Sequence, residues 1–193
     1  DEQIVPFYLA NGATMPEALD YAGSGCIESR LVNRETQVTG NSLINYGAVV
    51  EMTLRDGRVK FWNDAQFGLH TGDPRTFQGF DDVWRAFCAQ LEQVVRHIMT
   101  QQYVALELKP RHFAAPFASM LHDLASQECM DLHRHGEHIP GGIDLSCIES
   151  VGKGTAIDSL AAIKHLVYDT KQLTWSELLD AIECNWEGKE AVR

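Results

Sequence analysis

Gly23-Ser24-Gly25-Cys26-Ile27-Glu28-Ser29 sets the reading of this chain. Two glycines flank the approach to Cys26, and glycine permits tight turns and close backbone approach. Glu28 follows the cysteine by two residues. In an extended segment, residues i and i+2 face the same way. The thiol and the carboxylate are therefore expected side by side at the tip of a turn. That pairing argues against a thiolate nucleophile, because a neighbouring negative charge disfavours ionisation of the thiol. It is compatible with a thiol that reacts by losing a hydrogen atom. The same stretch also reads as a purely structural Gly-Cys turn.

Upstream, Thr14-Met15-Pro16-Glu17 reads as a helix start, with Thr14 as N-cap and Glu17 reaching back to it. A short helix over 17–22 would deliver the chain into the turn. Downstream, 30–39 reads as a polar loop and 41–54 as a buried helix closed by Asp56-Gly57, with the glycine as C′. Phe80 to Gln102 carries the clearest helical period, through Val83, Trp84, Phe87, Leu91, Val94, Val95 and Ile98. Val104 to Leu108 either extends that helix or forms a strand. A further helix is expected over 117–132, with Phe117, Met120, Leu121, Leu124 and Cys129 on its apolar side. A strand is expected within 143–151, a helix opening at Asp158, and a second capping box at Thr174-Trp175-Ser176-Glu177 that starts a helix running to about Trp186.

Composition limits the possibilities. The 193 residues are 45% hydrophobic and 22% charged, with a net charge of −11. Such a chain is globular and can bury a core. Its acidity and the lack of a basic stripe exclude nucleic acid as a partner. The sequence has no apolar run long enough for a membrane span, and Asp1-Glu2-Gln3-Ile4-Val5-Pro6 is not expected to be a signal peptide. Five widely spaced cysteines without a C-x-x-C pair point to a reducing cytoplasm. Cys88 and Cys184 read as core residues.

Other candidate sites carry less. His133-Arg134-His135-Gly136-Glu137-His138 has the spacing H-x-H-x-x-H, which does not match a known zinc pattern. The expectation is an exposed loop and no metal. Glu149 stands near the end of a candidate strand, where barrel proteins place polar active-site groups, and is a candidate substrate contact. Ser146 to Ser150 repeats the Cys-Ile-Glu-Ser of 26–29 without wider similarity. The chain has no G-x-S-x-G elbow and no phosphate loop. His70 and His122 read as structural.

The run Asn11 to Ala22, followed by Gly25-Cys26-Ile27-Glu28, resembles the approach to the thiyl cysteine of glycyl radical enzymes, the relatives of pyruvate formate-lyase. Collinear similarity continues through Thr71-Gly72-Asp73-Pro74, the helix with Phe80 and Gln90, Asp158 to Lys164, and Leu178 to Glu190.

The resemblance implies an α/β fold, helix-rich and incomplete in this chain: part of a ten-stranded β/α barrel whose finger loop carries the cysteine to the centre. Residues 1–193 would be a central to C-terminal half-barrel segment, without the glycine-radical domain. The resemblance makes Cys26 the thiyl radical and Glu28 the acid/base carboxylate. The glycyl radical would sit on a glycine outside this chain, and no cofactor would be held by the segment itself. The implied partners are a radical S-adenosylmethionine activating enzyme, the rest of the same polypeptide, a second copy in a homodimer and a small-molecule substrate.

Two features depart from family patterns. Ile27 follows Cys26 where pyruvate formate-lyase has a second cysteine. Ser29 follows Glu28 where many dehydratases and amine lyases have proline. The activity expected is a lyase, most simply an arylacetate decarboxylase. The alternatives are a diol dehydratase or C–N lyase of the same family, or a non-catalytic helical interaction domain.

Overall fold

The computed structural model describes residues 2–24, 28–36, 42–145 and 148–192. Along the chain run α1 (Ile4–Ala10), α2 (Met15–Leu19), β1 (Tyr21–Ser24), β2 (Glu28–Leu31), β3 (Ser42–Asn45), α3 (Tyr46–Leu54), β4 (Arg58–Val59) and β5 (Ala65–Gln66). They are followed by α4 (Phe80–His112), α5 (Pro116–Met120), α6 (Asp123–Gln127), α7 (Leu132–His135), β6 (Ile148–Val151), α8 (Lys153–Ile163) and α9 (Trp175–Glu183). The strands pair as β1–β2, β3–β6 and β4–β5, each a two-stranded sheet. No helix among the described residues is long and apolar enough to cross a membrane.

The chain divides into two compact units. The first comprises residues 1–42 and 100–149. Its core gathers Val5, Tyr8, Ala13, Ala18, Leu31 and Ile143. The capping box at its start is present: the Thr14 amide donates to Glu17 Oε2 at 2.7 Å, as does the Thr14 hydroxyl. The helix it opens ends at Leu19, and the chain enters β1 at Tyr21. The β1–β2 hairpin is antiparallel, in the register Tyr21↔Leu31, Ala22↔Arg30, Gly23↔Ser29 and Ser24↔Glu28. Arg30 and Leu31 are thus strand residues rather than part of a polar loop.

The helix expected over 117–132 is broken. The His122 ring caps α6, with Nδ1 accepting the Ala125 amide at 3.3 Å. Asp131 caps α7, with Oδ1 accepting the amides of His133 and Arg134. Each cap starts a new helix where the apolar pattern alone would have continued the old one. Phe117, Met120 and Leu121 are 82%, 72% and 83% exposed rather than packed inward.

The second unit comprises residues 43–99 and 150–193. The helix expected from 41 begins only at Tyr46. Asn45 stays extended and its side chain accepts the Ala48 amide at 3.2 Å, which fixes the start. At the other end Asp56 takes the left-handed C′ position, with φ +52°, and Gly57 follows it. The Gly57 amide reaches the Met52 carbonyl at 2.7 Å, the six-to-one bond of a Schellman turn. The glycine is therefore C″, one residue later than expected.

The first part of α4 packs Val83, Ala86, Phe87, Gln90 and Ile98 inward. The helix runs on through Val104 to Leu108, which excludes the strand reading. Buried Gln90 clamps the preceding loop: Oε1 accepts the Leu69 amide at 2.9 Å, and Nε2 donates to the Leu69 carbonyl at 2.7 Å and to Thr71 Oγ1 at 3.0 Å.

α8 opens at Lys153, not at Asp158. Its cap is Gly152, with φ +71°, where a Cβ would lie 3.3 Å from Asn45 Oδ1. The capping box at Thr174 and Glu177 is present, but α9 ends at Glu183, and Asn185 and Trp186 turn left-handed. Cys88 and Cys184 are exposed, not core. Cys88 stands on the outward side of α4, and Cys184 is the cap residue just past α9, where the helical period no longer applies.

Candidate active site

The site grows from the β1–β2 hairpin of the first unit. Side chains alternate between the two faces of a strand, and directly paired residues share a face. Ser29 and Leu31 face the core, where the Tyr8 hydroxyl donates to Ser29 Oγ at 3.1 Å. Tyr8 is buried at the centre of that core, and burial pushes its hydroxyl pKa up. Glu28 and Arg30 therefore occupy the opposite face. The paired strands close at Ser24 and Glu28, and three residues, 25–27, join them. Cys26 is the middle one and lies outside the described residues, as do Gly25 and Ile27.

A buried ion pair fixes β2 from its far end. Glu35 pairs with Arg30, their side chains only 5% and 12% exposed, and its second oxygen accepts the Leu31 amide at 3.0 Å. Glu35 is also bridged to Ile143 in parallel fashion: the Thr36 amide donates to the Ile143 carbonyl at 3.1 Å, and the Ile143 amide to the Arg34 carbonyl at 2.7 Å. His122 adds a third tie, its Nε2 donating to the Glu35 carbonyl at 3.2 Å. Nδ1 accepts at the same time, so the neutral Nε2–H tautomer satisfies both contacts. Arg34 is held by Glu17 at 2.7 Å, which joins the capping box of α2 to the same frame.

Two residues far apart in sequence meet here. The half-buried carboxyls of Glu28 and Glu149 are hydrogen-bonded to each other. That bond, with partial desolvation and the repulsion of the Glu28 charge, holds the Glu149 carboxyl above the usual carboxylate range. Two carboxyls this close share a proton, since both cannot ionise without repulsion. The pair can accept one proton and donate another from nearly the same place. That is the equipment of general acid–base chemistry.

The structure thus brings together two of the three candidate residues, Glu28 and Glu149. Ser146 and Cys147 lie outside the described residues. The three histidines of the 133–138 run do not converge on a metal, and no cluster of metal-ligating side chains occurs among the described residues. His70 Nδ1 meets Asp56 Oδ2 at 2.9 Å and so has a structural role, as His122 does. Sequence reasoning missed Tyr8, Ser29, Arg30 and Glu35. The Arg30–Glu35 spacing carries no helical or strand signal, and the Tyr8–Ser29 bond joins separate elements.

A family model for pyruvate formate lyase-like proteins matches residues 1–193. Isethionate sulfite-lyase from Desulfovibrio desulfuricans is 48% identical over 193 residues, which is all of this chain and 23% of that enzyme. The crystal structure of hydroxyproline dehydratase from Clostridioides difficile, with trans-4-hydroxy-L-proline bound, matches with a TM-score of 0.80 at 30% identity, over 98% of this chain and 23% of that one. Indoleacetate decarboxylase from Tractidigestivibacter scatoligenes is 25% identical over 184 residues, 93% of this chain and 20% of that enzyme. The chain therefore spans less than a quarter of the length of the relatives it matches. Its helix-rich α/β architecture is part of the barrel fold of those relatives. With the match running over all 193 residues, the chain belongs to the pyruvate formate lyase-like family of glycyl radical enzymes.

Proposed function

We propose that this chain is the cysteine-bearing segment of a glycyl radical lyase. In this reading the enzyme breaks a carbon–sulfur or carbon–oxygen bond next to a hydroxyl-bearing carbon of a small polar substrate. Isethionate, a two-carbon hydroxysulfonate, is the leading candidate. The observation that carries the chemistry is the Glu28–Glu149 carboxyl pair at the mouth of the Cys26 turn. The substrate class is supported by the 48% identity to isethionate sulfite-lyase across the whole chain.

The residues fit a radical role. A carboxyl pair keeps a nearby thiol protonated, which suits hydrogen-atom transfer and disfavours thiolate attack. A glycyl radical, on a glycine outside this chain and installed by a radical S-adenosylmethionine activating enzyme, would supply the hydrogen-atom acceptor for the Cys26 thiol. Cys26 then takes the hydrogen atom from the carbon that bears the hydroxyl. Glu28, in its carboxylate form, takes the hydroxyl proton. The carbon–sulfur bond breaks and sulfite leaves with the electron pair. The remaining aldehyde radical takes the hydrogen atom back from Cys26, and the proton on Glu28 passes to sulfite. Isethionate is thereby converted to acetaldehyde and hydrogen sulfite, with Cys26 and Glu28 restored. Glu149, protonated at higher pH than an ordinary carboxyl, hydrogen-bonds Glu28 and the substrate hydroxyl.

The arylacetate decarboxylase reading rests on the 25% identity to indoleacetate decarboxylase and has the weaker support. The two readings separate in one experiment. The full-length enzyme is activated anaerobically and offered isethionate, a vicinal diol, trans-4-hydroxy-L-proline and an arylacetate. Sulfite and acetaldehyde from isethionate are expected. Carbon dioxide from the arylacetate, with no turnover of the hydroxylated substrates, would overturn the proposal.

A further inference from the structure

Glu28 is the last paired residue of β2 before the turn, opposite Ser24. The next three residues of the strand are each fixed by a side chain. The Tyr8 hydroxyl donates to Ser29 Oγ at 3.1 Å, the Glu35 carboxylate pairs with Arg30, and its second oxygen accepts the Leu31 amide at 3.0 Å. Glu35 follows β2 directly in the chain, whereas Tyr8 comes from α1. Of the three ties, the Tyr8 bond is therefore the one that fastens β2 to another element, and it does so at the residue next to Glu28.

The Tyr8 ring sits among Val5, Ala13, Ala18, Leu31 and Ile143 and is 1% exposed. Phenylalanine would fill the same space with no polar atom to desolvate. A hydroxyl in such a cluster is costly unless it is bonded, and here its partner is Ser29. Burial above all, with the Glu35 charge nearby, keeps the phenol protonated and hence a donor. Paired polar groups inside a core rigidify the elements that carry them. Side chains alternate along a strand, so holding Ser29 against α1 sets how Glu28 projects from the opposite face. The contact of Glu28 with Glu149 depends on that projection, since the two carboxyls come from two separate strands.

We propose that Tyr8 is a positioning residue for the carboxyl pair: through its hydrogen bond to Ser29 it directs Glu28 and so sets the separation of Glu28 from Glu149. The catalytic use of the pair rests on the lyase reading, whereas the placement of Glu28 by Tyr8 does not.

The test compares full-length wild-type enzyme with Tyr8→Phe, Ser29→Ala and the double variant. Infrared titration follows the protonated carboxyl of the pair, identified by its loss in Glu149→Gln. In both single variants this carboxyl should titrate at lower pH than in wild type, because a carboxyl moved away from its partner returns towards the ordinary range. In the anaerobically activated enzyme, kcat should fall about two- to tenfold, the worth of one hydrogen bond, with KM little changed. The double variant should lose no more than the more impaired single variant, since both substitutions break the same bond. An unchanged titration in both single variants would overturn the proposal even if the rate fell. Losses that multiply in the double variant would overturn it as well. A shifted titration in an enzyme that turns over no hydroxylated substrate would support the placement by Tyr8 and refute the lyase reading instead.

Discussion

Replacing Glu35 with alanine should loosen the strand that carries Glu28. Glu35 contributes one oxygen to a buried pair with Arg30 and the other to the Leu31 amide at 3.0 Å. The two side chains are 5% and 12% exposed, so solvent screens their interaction little. Removing one partner of a buried ion pair costs about 3–5 kcal/mol, because the remaining charge stays desolvated. If that cost falls on opening of the hairpin rather than on global unfolding, amide exchange in β2 accelerates by about 150-fold at the lower figure. Hydrogen–deuterium exchange of the full-length protein, read on the peptide covering 28–36, measures it. Glu35→Gln keeps an acceptor for the Leu31 amide and should accelerate exchange less. Acceleration of less than about tenfold in the alanine variant, equivalent to 1.4 kcal/mol, would refute the claim that this pair anchors β2.

Two other consequences are open to measurement. The folded-state pKa of Glu149 is raised, so the folded protein holds a proton that the unfolded chain releases; the resulting stability is present at low pH and is lost as pH rises through the raised value. Glu149→Gln should therefore become more stable relative to wild type as pH rises across that window, seen in denaturation midpoints at a series of pH values, and a flat difference would remove the shared proton. Gln90→Leu strips the Leu69 amide and carbonyl of their partners and should destabilise the second unit by about 2–4 kcal/mol, with a matching fall in the denaturant midpoint.

Local chemistry was the legible part of this protein. Thr14 and Thr174 each stand three residues before a glutamate, and both capping boxes formed, because a cap needs only its own turn. The long apolar period from Phe80 gave α4, since so many inward positions agree. The strands that flank Gly25-Cys26-Ile27 are paired, while the turn itself lies outside the described residues. What the sequence hid depended on partners elsewhere. Asn45 and His122 changed from helix residues to caps because their side chains found amides three residues on. Phe117 and Leu121 look like core residues by type and period but are exposed. The contact of Glu28 with Glu149 joins residues on two separate strands, which no local pattern announces. Sequence reading named both carboxylates separately, and the fold made them a pair.

The role of Cys26 is tested most directly in the anaerobically activated full-length enzyme, by comparing Cys26→Ala with wild type. The glycyl radical is quantified by electron paramagnetic resonance in the same samples. The account predicts an undiminished glycyl radical and no sulfite release from isethionate in the alanine variant. Turnover that persists in Cys26→Ala with the radical present would contradict it.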